Sequence, residues 1–184
     1  MTARVVLLNG VSSVGKGSVA KALQATARRP MLHVQMDAFL EMLPARMFGA
    51  DEGYRFETWL EDGAPVTAVI GGPVLAAAMA GMRGAVAALA EAGNDVIVDE
   101  VMWDPADLAD YRRRLAAFDF RAVGLVAPLE VIERRERQRG DRTLGLARWQ
   151  WGKVHAGMDY DLTLDAAEAT PDELASAIKQ AFDL

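Results

Sequence analysis

The chain has no cysteine, so disulfides and thiolate chemistry are excluded, as suits a cytoplasmic protein. It has only two histidines, His33 and His155, and no His/Asp/Glu spacing typical of a dedicated zinc site. Basic residues are outnumbered, 20 against 26, for a net charge of −6. That balance argues against a nucleic-acid-binding protein working through a basic surface. An uninterrupted membrane span is also missing. The most apolar stretch, 73–92, contains Arg83 and the helix-weakening Gly81 and Gly84, and reads as a closely packed core helix. The first residues lack the regions of a signal peptide and enter a strand directly. No repeat, low-complexity segment or linker divides the chain, which predicts one domain over 1–184.

What the chain does have is hydrophobic residues, 52% of 184, enough for one α/β domain with a substantial core. The most informative stretch is Val5 to Ser18. The apolar run Val5-Val6-Leu7-Leu8 has the length and β-branching of a buried strand. It is followed by Gly10-Val11-Ser12-Ser13-Val14-Gly15-Lys16-Gly17-Ser18, and then a helix predicted from about Lys16 to Ala27. Strand, glycine-rich loop and helix are the context of a phosphate-binding P-loop. Backbone N–H groups from Gly10 to Ser18 would converge on phosphate oxygens at a helix N-terminus, with the Lys16 ammonium on the outer phosphates. Gly17 stands where the common motif carries a hydroxyl that binds Mg²⁺, and Ser18 comes one position later. The metal would then rest on water and on carboxylates elsewhere, with Ser18 a further candidate.

Further strands are expected at 31–36, closing on Asp37, and at 95–100, 121–126 and 160–165. Helices are expected at 38–48, 73–92, 107–118 and 128–140, and from Thr170, whose cap, proline and acidic residues open the last one. The segment 51–72 reads as irregular, either a substrate-side insertion or a surface loop. Alternating strands and helices imply a parallel sheet covered on both faces, with ligands at the carboxyl edge of the strands.

Asp37, Asp99 and Glu100 fall at that edge. Asp37 can accept the proton of an attacking hydroxyl, or cap the helix after it. Asp99 can hold Mg²⁺ directly or through water and Glu100 can orient substrate or water, unless both simply end a solvated strand. Arg134, Arg135, Arg137, Arg139 and Arg142 form a dense basic cluster. They are either a solvated helix face or part of a mobile lid-like segment, 134–148, that closes over ATP. Arg135, Arg139 and Arg142 lie near one face if the helix extends that far. Trp59, Trp103, Trp149, Trp151, Met42, Met47 and Phe48 can line an apolar acceptor pocket or pack in the core. Nothing marks Ser12 or Ser13 as a nucleophile.

Several segments occur in one order: Leu8-Asn9-Gly10-Val11-Ser12-Ser13-Val14-Gly15-Lys16, Met36-Asp37, Met42-Leu43-Pro44, Val98-Asp99-Glu100, Arg139-Gly140-Asp141-Arg142, and Val154-His155 with Tyr160-Asp161. The set resembles chloramphenicol phosphotransferase and its relatives along almost the whole chain. The resemblance implies an α/β, three-layer P-loop kinase fold of the adenylate-kinase type, with a five-stranded parallel sheet. It implies ATP and Mg²⁺ as cofactors, and phosphorylation of a hydroxyl on a small molecule. The residue matching Asp37 would be the general base, Lys16 would contact ATP phosphates, and Arg139 and Arg142 would fall in the nucleotide-closing region. A metabolic kinase with another acceptor, or a nucleotide-binding regulatory module, stands as the alternative. A module would have no use for an acceptor base at Asp37.

Overall fold

A computed structural model describes residues 2–140 and 143–184. The chain alternates strands and helices in the order β1 Arg4–Asn9, α1 Lys16–Thr26, β2 Met31–Gln35, α2 Met36–Glu41, β3 Tyr54–Glu61, β4 Ala64–Gly71, α3 Pro73–Glu91, β5 Asp95–Glu100, α4 Pro105–Arg114, β6 Asp119–Val126, α5 Leu129–Arg139, α6 Leu146–Trp151, β7 Leu162–Asp165 and α7 Pro171–Phe182. Five strands form one parallel sheet in the order β2-β5-β1-β6-β7, and β3 and β4 form a separate antiparallel hairpin. The chain builds one side of the sheet from β1 and then crosses to the other, so β1 carries the topological switch point where α/β folds bind ligands. Helices cover both faces in a three-layer P-loop kinase fold.

Alternation along the strands explains the layers. Val6, Leu8, Ile97, Val123 and Leu125 face α1, α5 and α7 and form one core. Val5, Leu7, Val96, Val98 and Ala122 face the other way, against Met82 and Val86 of α3 and Leu108 and Tyr111 of α4. At the ends, Asp104 caps α4 by accepting from Ala106 N–H, and Thr170 and Glu173 form a capping box on α7.

Four sequence expectations are corrected. The segment 51–72 is not irregular. It holds the β3–β4 hairpin, turned by Asp62 and Gly63 with φ of 51° and 78°, the left-handed pair that a tight hairpin turn needs. The helix expected over 38–48 is split. It starts at Met36, stops at Glu41, and gives way to a 3-10 turn at Ala45–Met47 after Pro44. The 73–92 helix is not enclosed. Long and apolar enough on composition to cross a membrane, it buries only Met82, Val86 and Ala90 against the sheet side. Finally, Trp59, Trp103, Trp151, Met42 and Phe48 are exposed rather than in the core. Trp59 lies on β3 and Trp151 at the end of α6, while Met42, Phe48 and Trp103 lie in the segments between elements.

Candidate active site

The loop between β1 and α1 is built by close approach. A Cβ at Gly10 would lie 2.7 Å from Leu125 O and 2.9 Å from Val14 Cγ1, so only glycine lets the loop start against β6. Gly15, at φ 111°, turns the chain into α1. Lys16 is 7% exposed, and its ammonium donates to Gly10 O at 2.8 Å and Val11 O at 3.2 Å. Ser13 holds φ 64°, unusual for a residue with a side chain, and its buried hydroxyl has no hydrogen-bond partner among the described residues. An orphaned hydroxyl, a lysine amine and a glycine cradle at a helix N-terminus fit an oligophosphate.

Across the sheet, Asp99 on β5 is level with Leu8 of β1 on one side and Gln35 of β2 on the other. Its Oδ1 is 3.8 Å from Lys16 Nζ. A Cβ at Gly17 would lie 3.3 Å from Asp99 Oδ2. Position 17 therefore faces Asp99. No group of three or more His, Asp or Glu could cage a metal among the described residues. One carboxylate beside a phosphate loop is the donor set that suits Mg²⁺, which keeps its waters and borrows phosphate oxygens. Ser18 is exposed, one residue further round α1. His33, one strand from Asp99, has its buried Nε2 3.8 Å from Asp99 Oδ2 and accepts from Gln35 Nε2 through Nδ1.

Asp37 lies two residues past the end of β2, in the first turn of α2. The N-cap is Gln35, so the capping role is not the one Asp37 plays. Tyr54 of β3 is close enough that Asp37, after burial, raises its pKa. Phe48, Tyr54 and Phe56 stack edge to face beside it, with ring centroids 5.3 to 6.0 Å apart. The hairpin thus stands over the β2 side of the phosphate loop. Asp37 and the loop are two strand spacings apart, about 10 Å.

Glu100 does not join Asp99. Adjacent strand residues point to opposite faces, and Glu100 is buried among α3 and α4, accepting from Tyr111 Oη at 2.6 Å with Arg83 at 3.9 Å. Burial pushes its carboxyl up to about 7. The expectation that it orients substrate is replaced by a packing role.

The arginines separate. Arg135 donates to the backbone carbonyls of Val14, Ala166 and Ala167 at 2.8 to 3.2 Å, tying the phosphate loop to the end of β7. Arg134, Arg137 and Arg139 are exposed on α5, which Gly140 ends in a left-handed cap. Arg142 lies outside the described residues.

Four polar residues to which the sequence assigns no role organise the site. Asn9, fully buried at the end of β1, donates to Met102 O, Val154 O and Tyr160 Oη and accepts from Met102 N–H. Tyr160 Oη lies 2.9 Å from His155 Nδ1, and burial lowers the His155 pKa, with Lys16 adding to the effect. Glu136 caps α6, Gln150 reaches the phosphate loop, and Thr67 joins the hairpin to α6. A polar residue closing the apolar run of β1, and an acid four residues after Ile132 on the buried face of α5, were the available signals. A cleft of about 430 Å³, lined by Val11, Val126, Pro128, Trp151, His155 and Asp165, opens on the β6–β7 side.

Comparison with known proteins gives the family and the fold. The family described as "chloramphenicol phosphotransferase-like protein" matches residues 3–183. The chain belongs to that family. "Putative O-phosphotransferase Rv2636" of Mycobacterium tuberculosis is 33% identical over 184 residues, covering 97% of this chain and 82% of the relative. In fold, the chain is similar to the M. tuberculosis APS kinase CysC in complex with AMPPNP and APS. That match has a TM-score of 0.70 at 19% identity and covers 100% of this chain and 99% of the other. A sugar kinase from Janibacter sp. HTCC2649 gives 0.69 at 19% identity, covering 100% and 95%. The chain is a kinase-type phosphotransferase.

Proposed function

We propose that the protein transfers the γ-phosphoryl group of ATP to a hydroxyl of an uncharged small molecule, with Asp37 as the general base. The observation that carries this is the position of Asp37 at the β2 edge, near Tyr54 of the hairpin and two strands from the phosphate loop. The acceptor oxygen attacks phosphorus, the bond to the β–γ bridging oxygen breaks, ADP departs, and the hydroxyl proton passes to Asp37. Lys16 and the amides of the Gly10–Ser18 loop hold the phosphates, except Ser12 N–H, which Gln150 engages. Mg²⁺ supplies further charge neutralisation, with Asp99 as its protein ligand and Ser18 as a second candidate. Arg139 and Arg142 serve the nucleotide side, and Arg135 supports the loop from below. The apolar cleft beyond Val11 suits the nucleoside.

Charge narrows the acceptor. From Met36 to Gly72 the chain carries seven acidic residues, Asp37, Glu41, Asp51, Glu52, Glu57, Glu61 and Asp62, against Arg46 and Arg55. Arg55 is paired with Asp51 and Glu57. Such a surface repels carboxylates, sulfates and phosphates. The rings at Phe48, Tyr54 and Phe56 favour an acceptor with an apolar or planar body. Chloramphenicol, an uncharged alcohol with an aromatic ring, meets both conditions, and its phosphorylation would make the protein an antibiotic-resistance enzyme. Dependence on ATP and Mg²⁺ suits the cytoplasm. An acceptor screen with Mg·ATP and mass detection of an added phosphate tests the reading. Transfer to chloramphenicol or another neutral alcohol is expected. Transfer confined to anionic acceptors would overturn the charge argument, and transfer to none would remove the acceptor site.

A further inference from the structure

The phosphate loop is held from outside as well as by its own turn. Ser12 N–H donates to Gln150 Oε1 at 2.7 Å, and Gln150 is 3% exposed. The bond fixes the Val11–Ser12 peptide, one residue ahead of Ser13, whose left-handed φ of 64° persists only where the surroundings over-determine it. Gln150 belongs to α6, and the start of α6 is fixed in turn. Glu136, 2% exposed, accepts from Gly145 N–H at 2.8 Å and Ala147 N–H at 2.9 Å. Gly145 rests on the hairpin, where a Cβ would come within 2.4 Å of Pro65 O. Thr67 of β4, fully buried, donates its N–H to Gly145 O at 3.0 Å and its hydroxyl to Leu144 O at 2.7 Å. One continuous run of buried hydrogen bonds therefore leads from the hairpin, through α6, to the loop.

We infer that Gln150 is a positioning residue for the phosphate loop and that, through α6, it links the docking of the hairpin to the loop's affinity for nucleotide. The inference rests on the loop's being the nucleotide site. Without the Gln150 carbonyl the Ser12 N–H is left buried and unsatisfied, and the loop must turn that peptide to find a partner. Loosening the Thr67 contacts frees the start of α6 and acts on the same peptide at a distance. Contiguity alone does not establish coupling, and a double-mutant cycle measures it.

The test uses the full chain and Mg·ADP as the probe, with affinity measured by calorimetry well below the melting transition and the Ser12 amide followed by ¹⁵N NMR. Gln150→Met, nearly isosteric but without the carbonyl, is expected to weaken ADP binding about tenfold. Thr67→Val is expected to weaken it by about threefold, and the double variant by less than the product of the two. The Ser12 resonance should move in both single variants. Gln150→Glu keeps an oxygen that can accept from Ser12 and, in the ligand-free protein, should leave that resonance near its wild-type position. This variant serves if Gln150→Met does not fold. Wild-type ADP affinity in Gln150→Met overturns the inference even if its melting temperature falls. So does an unmoved Ser12 resonance in Thr67→Val, a strictly multiplicative double variant, or a Ser12 resonance displaced in Gln150→Glu. A wild-type protein that binds no ADP overturns the nucleotide reading itself.

Discussion

At the residue scale, the proposed division of work between two carboxylates, Asp99 on β5 and Asp37 just past the end of β2, follows what surrounds each. Asp99 faces Lys16 and the open side of Gly17, a setting for a metal and its waters. Asp37 faces aromatic rings and the hairpin, a setting for an organic acceptor. Its substitution by asparagine separates proton acceptance from size. The amide would keep the volume and the polarity of the first turn of α2, so the melting temperature and ADP affinity should hold. It cannot take up a proton as a carboxylate does, so phosphoryl transfer should fall by about two orders of magnitude or more. The three quantities are best measured on one preparation of Asp37→Asn. Full turnover would take Asp37 out of the mechanism, and a collapsed melting temperature would show it to be structural. Asp37 as a residue of interest was legible in the sequence because acids at strand ends are rare against an apolar run. Glu100 was legible in the same way and yet faces the opposite layer, since adjacent residues of a strand diverge.

At the element scale, the parallel core was readable because each of its strands is a short apolar run followed by a helix with its own start signal. β5 spans Asp95–Glu100 as expected, and α1 ends within a residue of its expected limit. The hairpin was not recognised, although Asp62-Gly63 is a strong turn signal. Its strands mix Arg, Glu, Thr and Trp without clean alternation, because most of β3 is exposed on both faces. α6 is six residues long and gains its stability from Glu136 and β4 rather than from its own periodicity, which no local pattern reveals. Gly145 is where these elements meet. At φ 84°, and with Pro65 O only 2.4 Å from where a Cβ would stand, it has room for no substituent. Gly145→Ala should destabilise the protein by at least about 2 kcal/mol, part backbone strain and part displacement of β4. Limited proteolysis should then cut within 54–71 at a protease concentration that leaves the wild type intact. A melting temperature and a cleavage pattern equal to wild type would show that the hairpin does not depend on this contact.

At the scale of the whole molecule, the sheet places the phosphate loop at its centre, the hairpin and Asp37 at the β2 edge, and the apolar cleft towards β7. Behind that functional edge, a buried charge cluster joins three elements. Arg83 of α3 pairs with Asp107 and Asp110 of α4 at 3.0 Å each, and Glu100 of β5 accepts from Tyr111 of α4. Desolvation dominates at Glu100 and raises its pKa from 4.5 to about 7, against the lowering effect of the Tyr111 hydrogen bond and of Arg83. The folded protein therefore binds this proton more tightly than the unfolded chain. Linkage then gives the sign: between about pH 4.5 and 7 the folded state carries more of the proton, so stability falls as pH rises through that window and levels off above it. Glu100→Gln keeps an acceptor for Tyr111 and has no proton to lose. It should flatten this part of the pH profile and, at about pH 8, exceed the wild type by on the order of 3 kcal/mol. Urea unfolding of both proteins from about pH 5 to about pH 8 measures the difference. Parallel profiles would mean that Glu100 is ionised in the folded protein throughout, with Arg83 rather than burial setting its charge.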